Sequence, residues 1–195
     1  MSETPRFLAL DLDNVVFDTH AYLKRRWPKR GPAMDETKWD LGSPATMQAV
    51  LHDFHVDGVA TVRLYRGADK VIKRLIAARV DLAFVSARPR SCWDATADSL
   101  ARYGIGVRGR ERDADLLLLD EADKVGYLLA ELGDRRITDC LLLDDRFSTV
   151  ARATELGLPA MLYDQPWNRQ FGPVPIPRVT GWIGQDSLAE ALGLQ

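Results

Sequence analysis

Residues Phe7 to His20 read FLALDLDNVVFDTH, a run of strand-forming apolar residues broken by Asp11 and Asp13 and resumed by two valines. An unpaired charge inside a buried sheet costs several kcal/mol or neutralises itself. The two carboxylates therefore mark a place where a strand leaves its sheet. Two positions apart in an extended chain, their side chains point to one side, and a slight bend beyond the sheet directs both into one pocket.

Outward from this stretch the chain alternates strand and helix patterns. Strands are expected at VDLAFVSA, ADLLLLD, DCLLLDD and PAMLYD, and helices at GADKVIKRLIAA, SCWDATADSLARYG, ADKVGYLLAELG and FSTVARATELG. The strand segments are near-continuous apolar runs, as when helices cover both faces of a parallel sheet. Gly104, Gly133 and Gly157 close three of the helices, where a left-handed residue is tolerated. The expected fold is α/β, a Rossmann-like parallel sheet with helices on both faces.

Residues 19–66 break this rhythm. They contain a basic helix candidate, AYLKRRWPKR, a proline and glycine break at RGPAMDETKWDLGSP, and a second helix candidate, ATMQAVLHDF. They read as a small helical cap inserted after the first strand, with residues 1–18 and 67–195 forming the core. The stretch from Gln165 to Arg178 is proline-rich and expected to be irregular, with DQPWNR a loop near the rim of a site and a short final helix near DSLAEALGL.

With 195 residues and 46% hydrophobic content the chain can bury one core and a modest insertion. A net charge of −2 argues against a general nucleic-acid binder. Two cysteines, Cys92 and Cys140, suggest neither a disulfide framework nor a zinc site. No apolar run approaches the roughly 20 residues of a membrane span, and MSETPRF lacks signal-peptide regions. A cytoplasmic protein is the expectation.

Open parallel sheets place ligand sites at the carboxyl ends of their strands. Asp11 and Asp13, Ser86 in FVSARP, Lys124 at a helix start, and Asp144 with Asp145 in LLLDD all fall at such ends. Crowded carboxylates repel one another, and a divalent cation with a lysine is the simplest compensation. Each pair alone also reads as a turn or helix cap, and Lys124 as a solvated helix residue. A receiver domain combines similar residues, but its acidic pair lies on the first strand and its lysine comes last.

In order and position these residues resemble the haloacid dehalogenase superfamily of phosphotransferases, over Phe7 to about Tyr163. DLDNV is similar to the family's first motif, Ser86 to its second, Lys124 to its third and LLLDDR to its fourth. Asn14 stands where glycine is commoner, so a left-handed backbone is expected there. Val15 replaces the commoner threonine.

The resemblance implies a magnesium-dependent phosphomonoesterase. Asp11 would be the nucleophile, forming an aspartyl-phosphate. Asp13 would be the general acid and then base, with its pKa raised so that it carries a proton when substrate is bound. Mg2+ would be held by the Asp11 carboxylate, the Asp13 carbonyl and Asp144, with Asp145 as a further ligand, direct or through water. Ser86, with the amides of Ala87 and Arg88, would bind phosphoryl oxygens, and Lys124 would offset the shared negative charge.

DLDNVVFD, TKWDL, SARP and LYDQPWNR together resemble the deoxyribonucleotidase branch, which implies a nucleoside monophosphate substrate. Trp39 is a candidate for base stacking, and also reads as a cap-core residue, as does Trp27. Arg88 reads as a contact to phosphate or ribose, or as a support for its loop. Polynucleotide ends or other small phosphoesters are the rival substrates, the former suggested by KRRWPKR from Lys24 to Arg30. That run also reads as a solvated helix face. A non-catalytic phosphate sensor is disfavoured because binding alone needs no nucleophile. His20, His52 and His55 read as surface or core histidines, and the DQPWNR side chains suggest no role.

Overall fold

The computed structural model describes residues 5–27, 44–107, 114–119, 123–171 and 175–194. Its centre is strand β1 (Phe7–Leu10), hydrogen-bonded on one side to β2 (Asp81–Ser86) and on the other to β4 (Cys140–Asp144). With β3 (Asp115–Leu118), β5 (Ala160–Tyr163) and β6 (Arg178–Val179) they form a parallel sheet of six strands in the order β3-β2-β1-β4-β5-β6.

The apolar runs are explained by burial on both faces. Leu8 and Leu10 of β1, Leu82 and Phe84 of β2, and Leu141 and Leu143 of β4 enter one hydrophobic layer. The alternate residues Phe7, Ala9, Ala83, Val85, Cys140 and Leu142 enter the other. Each fully buried leucine contributes roughly 1.5–3 kcal/mol relative to exposure, so both faces demand cover. Helices α3 (Ala68–Ala77) and α4 (Trp93–Ala101) cover the first face through Val71, Ile72, Leu75 and Leu100. Helices α5 (Lys124–Glu131) and α6 (Phe147–Glu155) cover the second through Val125, Leu128, Val150 and Ala153.

After β1 the chain turns tightly. The amides of Val16 and Phe17 both donate to the Leu12 carbonyl, at 3.0 and 2.8 Å. Asn14 has a φ of 62°, the left-handed backbone expected where glycine is commoner. Phe17 then pairs with Leu64 in a short antiparallel bridge, so the intervening segment leaves and returns side by side. Its described helices are α1 (Thr19–Arg26) and α2 (Pro44–Asp53), the latter running into a π turn at Phe54–Gly58. Tyr22, Leu23, Met47, Val50 and Phe54 join the layer on the first face of the sheet.

The C-terminal segment departs from the expected irregular loop. A 3-10 turn at Pro166–Phe171 leads to strand β6, and helix α7 (Leu188–Ala191) follows. Trp182 is fully buried and donates its indole N–H to the Val15 carbonyl at 2.7 Å. The end of the chain thus pins the turn that follows Asp13. Among the described residues no helix is long and apolar enough to cross a membrane, and Cys92 and Cys140 are buried and form no disulfide.

Candidate active site

The strand order places β1 at the topological switch point, with β2 to one side and β4 to the other. Asp11 extends the β1 ladder by one bond, its amide donating to the Leu143 carbonyl at 2.9 Å. Asp144 is the last residue of β4, Ser86 the last of β2, and Lys124 the first of α5. The sheet therefore brings together residues more than a hundred positions apart in sequence.

Lys124 Nζ lies 2.8 Å from Asp11 Oδ1 and 2.6 Å from Asp144 Oδ2. Burial works against its charge, but the two carboxylates outweigh it and raise its pKa above the ordinary value. Asp123 caps α5 by accepting from the Gly126 amide at 3.2 Å, which fixes the helix start from which the lysine projects. The solvated-surface reading of Lys124 does not describe this geometry.

Asp11, Asp144 and Asp145 are all buried, and one carboxylate oxygen from each lies within 4.8 Å of the others. Asp11 is pushed up to about 7, chiefly by burial, with Lys124 opposing and Asp144 and Asp13 adding to the rise. Asp145 is raised well above its ordinary value by burial and by the charges of Asp11 and Asp144. Three buried carboxylates sharing one lysine are short of positive charge. Hard oxygen donors at this spacing fit a divalent cation.

Asp13 behaves differently. Burial disfavours its charge, yet Arg88 and Thr19 hold its pKa below the ordinary carboxylate value. Arg88 Nη2 donates to Asp13 Oδ1 at 2.7 Å and Nε to Oδ2 at 2.9 Å, while the Thr19 hydroxyl donates to Oδ1 at 2.5 Å. Such a bidentate fork is the strong form of an ion pair. In the substrate-free chain Asp13 is therefore an ionised group, not the raised acid expected from its neighbours.

The same fork defines Arg88. Its side chain is 1% exposed, its Nη1 donates to Thr96 at 3.2 Å, and its guanidinium lies 5.0 Å from the Phe17 ring and 5.1 Å from the Phe54 ring. The arginine is committed to Asp13 and packs on Phe54 of the π turn, a role not visible in the sequence. Ser86 Oγ approaches Asp13 Oδ2 at 3.4 Å and accepts from the Arg88 amide at 3.3 Å.

These groups open on a cavity of about 610 Å³, lined by Asp11, Asp13, Ser86, Ala87, Arg88, Lys124 and Asp145. Leu51 of α2 with Phe54 and His55 of the π turn form one wall, and Ser148, Thr149 and Arg152 of α6, with Arg146 just before it, form another. His55, read as a surface or core residue, thus faces the site, and His52 is exposed. Trp27 packs against the core. Trp39 lies outside the described residues, as do residues 28–30 of the KRRWPKR run.

The DQPWNR segment is not a rim loop. Gln165, Trp167 and Asn168 are buried, and Trp167 donates its indole N–H to Asp145 Oδ2 at 3.0 Å. The sequence signal available was a tryptophan and two amides amid polar residues after the last long strand, without periodicity to say which way they face.

No family model and no curated protein matches this chain. Solved structures do. The Protein Tyrosine Kinase A of Mycobacterium tuberculosis superposes with a TM-score of 0.66 at 19% identity, over 98% of this chain and 100% of that one. A haloacid dehalogenase-like family hydrolase from Streptococcus pneumoniae gives 0.60 at 13% identity, over 84% and 85%. CbbY from Rhodobacter sphaeroides, solved with phosphate, gives 0.59 at 12% identity, over 89% and 92%. With its parallel six-stranded sheet and its acidic cluster at the strand ends, the chain has the haloacid dehalogenase-like α/β fold.

Proposed function

We propose that this protein is a magnesium-dependent phosphomonoester hydrolase acting through an aspartyl-phosphate on Asp11, with nucleoside monophosphates as its substrates. The observation that carries this reading is the buried Asp11, bridged by Lys124 to Asp144 and opening on the cavity. A buried carboxylate that lines a cavity with a fixed lysine beside it is placed to act as a nucleophile.

Asp11, Asp144 and Asp145, with the Asp13 backbone carbonyl, would hold the cation. When bound it supplies Lewis-acid polarisation of the phosphoryl group and neutralises the charge gathered there. Asp11 attacks phosphorus in line and displaces the ester oxygen. Lys124 offsets the charge that Asp11 and the phosphoryl group share, and Ser86 with the neighbouring amides receives the equatorial oxygens.

Asp13 moves the protons. Its carboxylate, resting ionised on Arg88, becomes more basic as the phosphoryl dianion enters beside it. It thereby takes up from solvent the proton that it delivers to the leaving oxygen. In the second half it removes a proton from the water that attacks the aspartyl-phosphate.

We take residues 19–66 as the cap that encloses the leaving group. A cavity of about 610 Å³ matches the volumes usual for small-ligand sites. Phe54 and Leu51 offer an apolar wall to a base. The test is phosphate release from a panel of ribo- and deoxyribonucleoside monophosphates, sugar phosphates and 5′- or 3′-phosphorylated oligonucleotides, with and without magnesium. Magnesium-dependent turnover led by nucleoside monophosphates is expected; a preference for sugar phosphates or oligonucleotides would overturn the substrate assignment.

A further inference from the structure

The segment Gln165-Pro-Trp-Asn168 has no side chain in the proposed chemistry, yet it grips both halves of the acidic cluster. Trp167 Nε1 donates to Asp145 Oδ2 at 3.0 Å, and Asn14 Nδ2 approaches the same oxygen at 3.4 Å. Asn168 Nδ2 donates to the backbone carbonyls of Asp145 and Tyr163, each at 2.8 Å. Gln165 Nε2 donates to the Asn14 carbonyl at 2.8 Å and to the Tyr65 hydroxyl at 2.9 Å. Arg178 in turn fixes Asn168, donating to its Oδ1 at 2.8 Å and its carbonyl at 3.0 Å. One short turn is therefore bonded to the loop after β1 and to the loop after β4.

We propose that this turn is a positioning element for the cation site, in which Trp167 holds Asp145 Oδ2 so that the other carboxylate oxygen, Oδ1, serves the cation. The inference rests on the cation-dependent reading above. The choice of donor supports it. The directed side-chain bond to Asp145 comes from a neutral donor, whereas at Asp13 it comes from the Arg88 guanidinium. An indole N–H fixes the carboxylate by one directed bond and leaves its negative charge in place. The ring is buried and lies tilted against His20 with centroids 5.0 Å apart, which restricts the donor. Partners of this outer kind fix ligand orientation, and their loss typically weakens metal binding 10–100-fold.

The direct test is Trp167→Phe, which keeps an aromatic ring in place and removes only the donor. Magnesium and manganese binding to the substrate-free protein would be measured by calorimetry, alongside the thermal midpoint with and without metal. The expected result is metal binding weakened about tenfold or more, with a smaller metal-induced rise in the midpoint. If Trp167→Phe does not fold, Asn14→Gly serves as the second variant. It removes the other donor to Asp145 Oδ2, keeps the left-handed backbone available, and is expected to weaken metal binding in the same direction.

Unchanged metal affinity with a lowered metal-free midpoint would mean that the turn only closes the core, and would overturn the inference while leaving the proposed function intact. If the unaltered protein binds neither metal, the cation reading itself fails and this inference with it.

Discussion

Two aspartates two residues apart meet opposite electrostatic fates in this protein. Burial and neighbouring carboxylates push Asp11 up to about 7, while Arg88 and Thr19 outweigh burial and hold Asp13 below its ordinary value. The stability consequences have opposite signs. Between its ordinary 3.8 and about 7 the folded chain retains a proton on Asp11 that the unfolded chain has lost. The cation-free protein should therefore lose stability as pH rises through that window. Denaturant unfolding at its two ends checks this, and saturating magnesium should reduce or reverse the slope. For Asp13 the contribution is present above the ordinary carboxylate pKa and disappears as pH falls below it. Arg88→Met should remove that contribution and destabilise the protein by on the order of 3 kcal/mol, because a partly buried carboxylate is left unpaired. Arg88→Lys should recover only part of the loss, since an ammonium cannot fork. Urea midpoints of the three proteins decide the point.

Among the elements, the π turn after α2 packs onto the loops that follow β1 and β2. The Arg88 guanidinium lies between Phe17, next to the turn after β1, and Phe54, on the π turn. Gly58 closes that turn, and a Cβ there would stand 2.5 Å from Phe54 Cδ2 and 2.7 Å from Tyr22 Cζ. Gly58→Ala should therefore force both rings to shift, at about 1–3 kcal/mol. Because Phe54 lines the cavity, KM for the substrate should rise more than the loss of stability alone explains. Calorimetry and steady-state kinetics on the same preparation separate the two effects.

Over the whole molecule, the sheet was legible because its strands are apolar on both faces and its helices end on turn residues. Phe7–Leu10, Asp81–Ser86 and Cys140–Asp144 lie within the runs that read as strands. The carboxylates and Lys124 were legible because strand ends converge in a parallel sheet, a consequence of topology alone. What the sequence hid was pairing. Nothing in SARP says that Arg88 turns inward to Asp13, and nothing in DQPWNR says that Trp167 turns toward Asp145. Such contacts depend on how loops fold over strand ends, where no periodicity orients a side chain. Strand β6 leaves no mark in the sequence for the same reason, since two residues after a proline-rich segment show no alternation. The assembled molecule should release phosphate only with a divalent cation. Chelation should abolish turnover, magnesium should restore it, and cation-independent activity would contradict the use of the acidic cluster.

The proposed role of Asp11 as nucleophile is decided by Asp11→Asn. The substitution removes the attacking oxygen anion, keeps the shape of the side chain and leaves one acceptor oxygen for Lys124. Phosphate release from the best substrate in saturating magnesium should fall to the uncatalysed level while the circular dichroism spectrum and cooperative unfolding are preserved. Turnover retained by a folded Asp11→Asn protein would rule Asp11 out as the nucleophile.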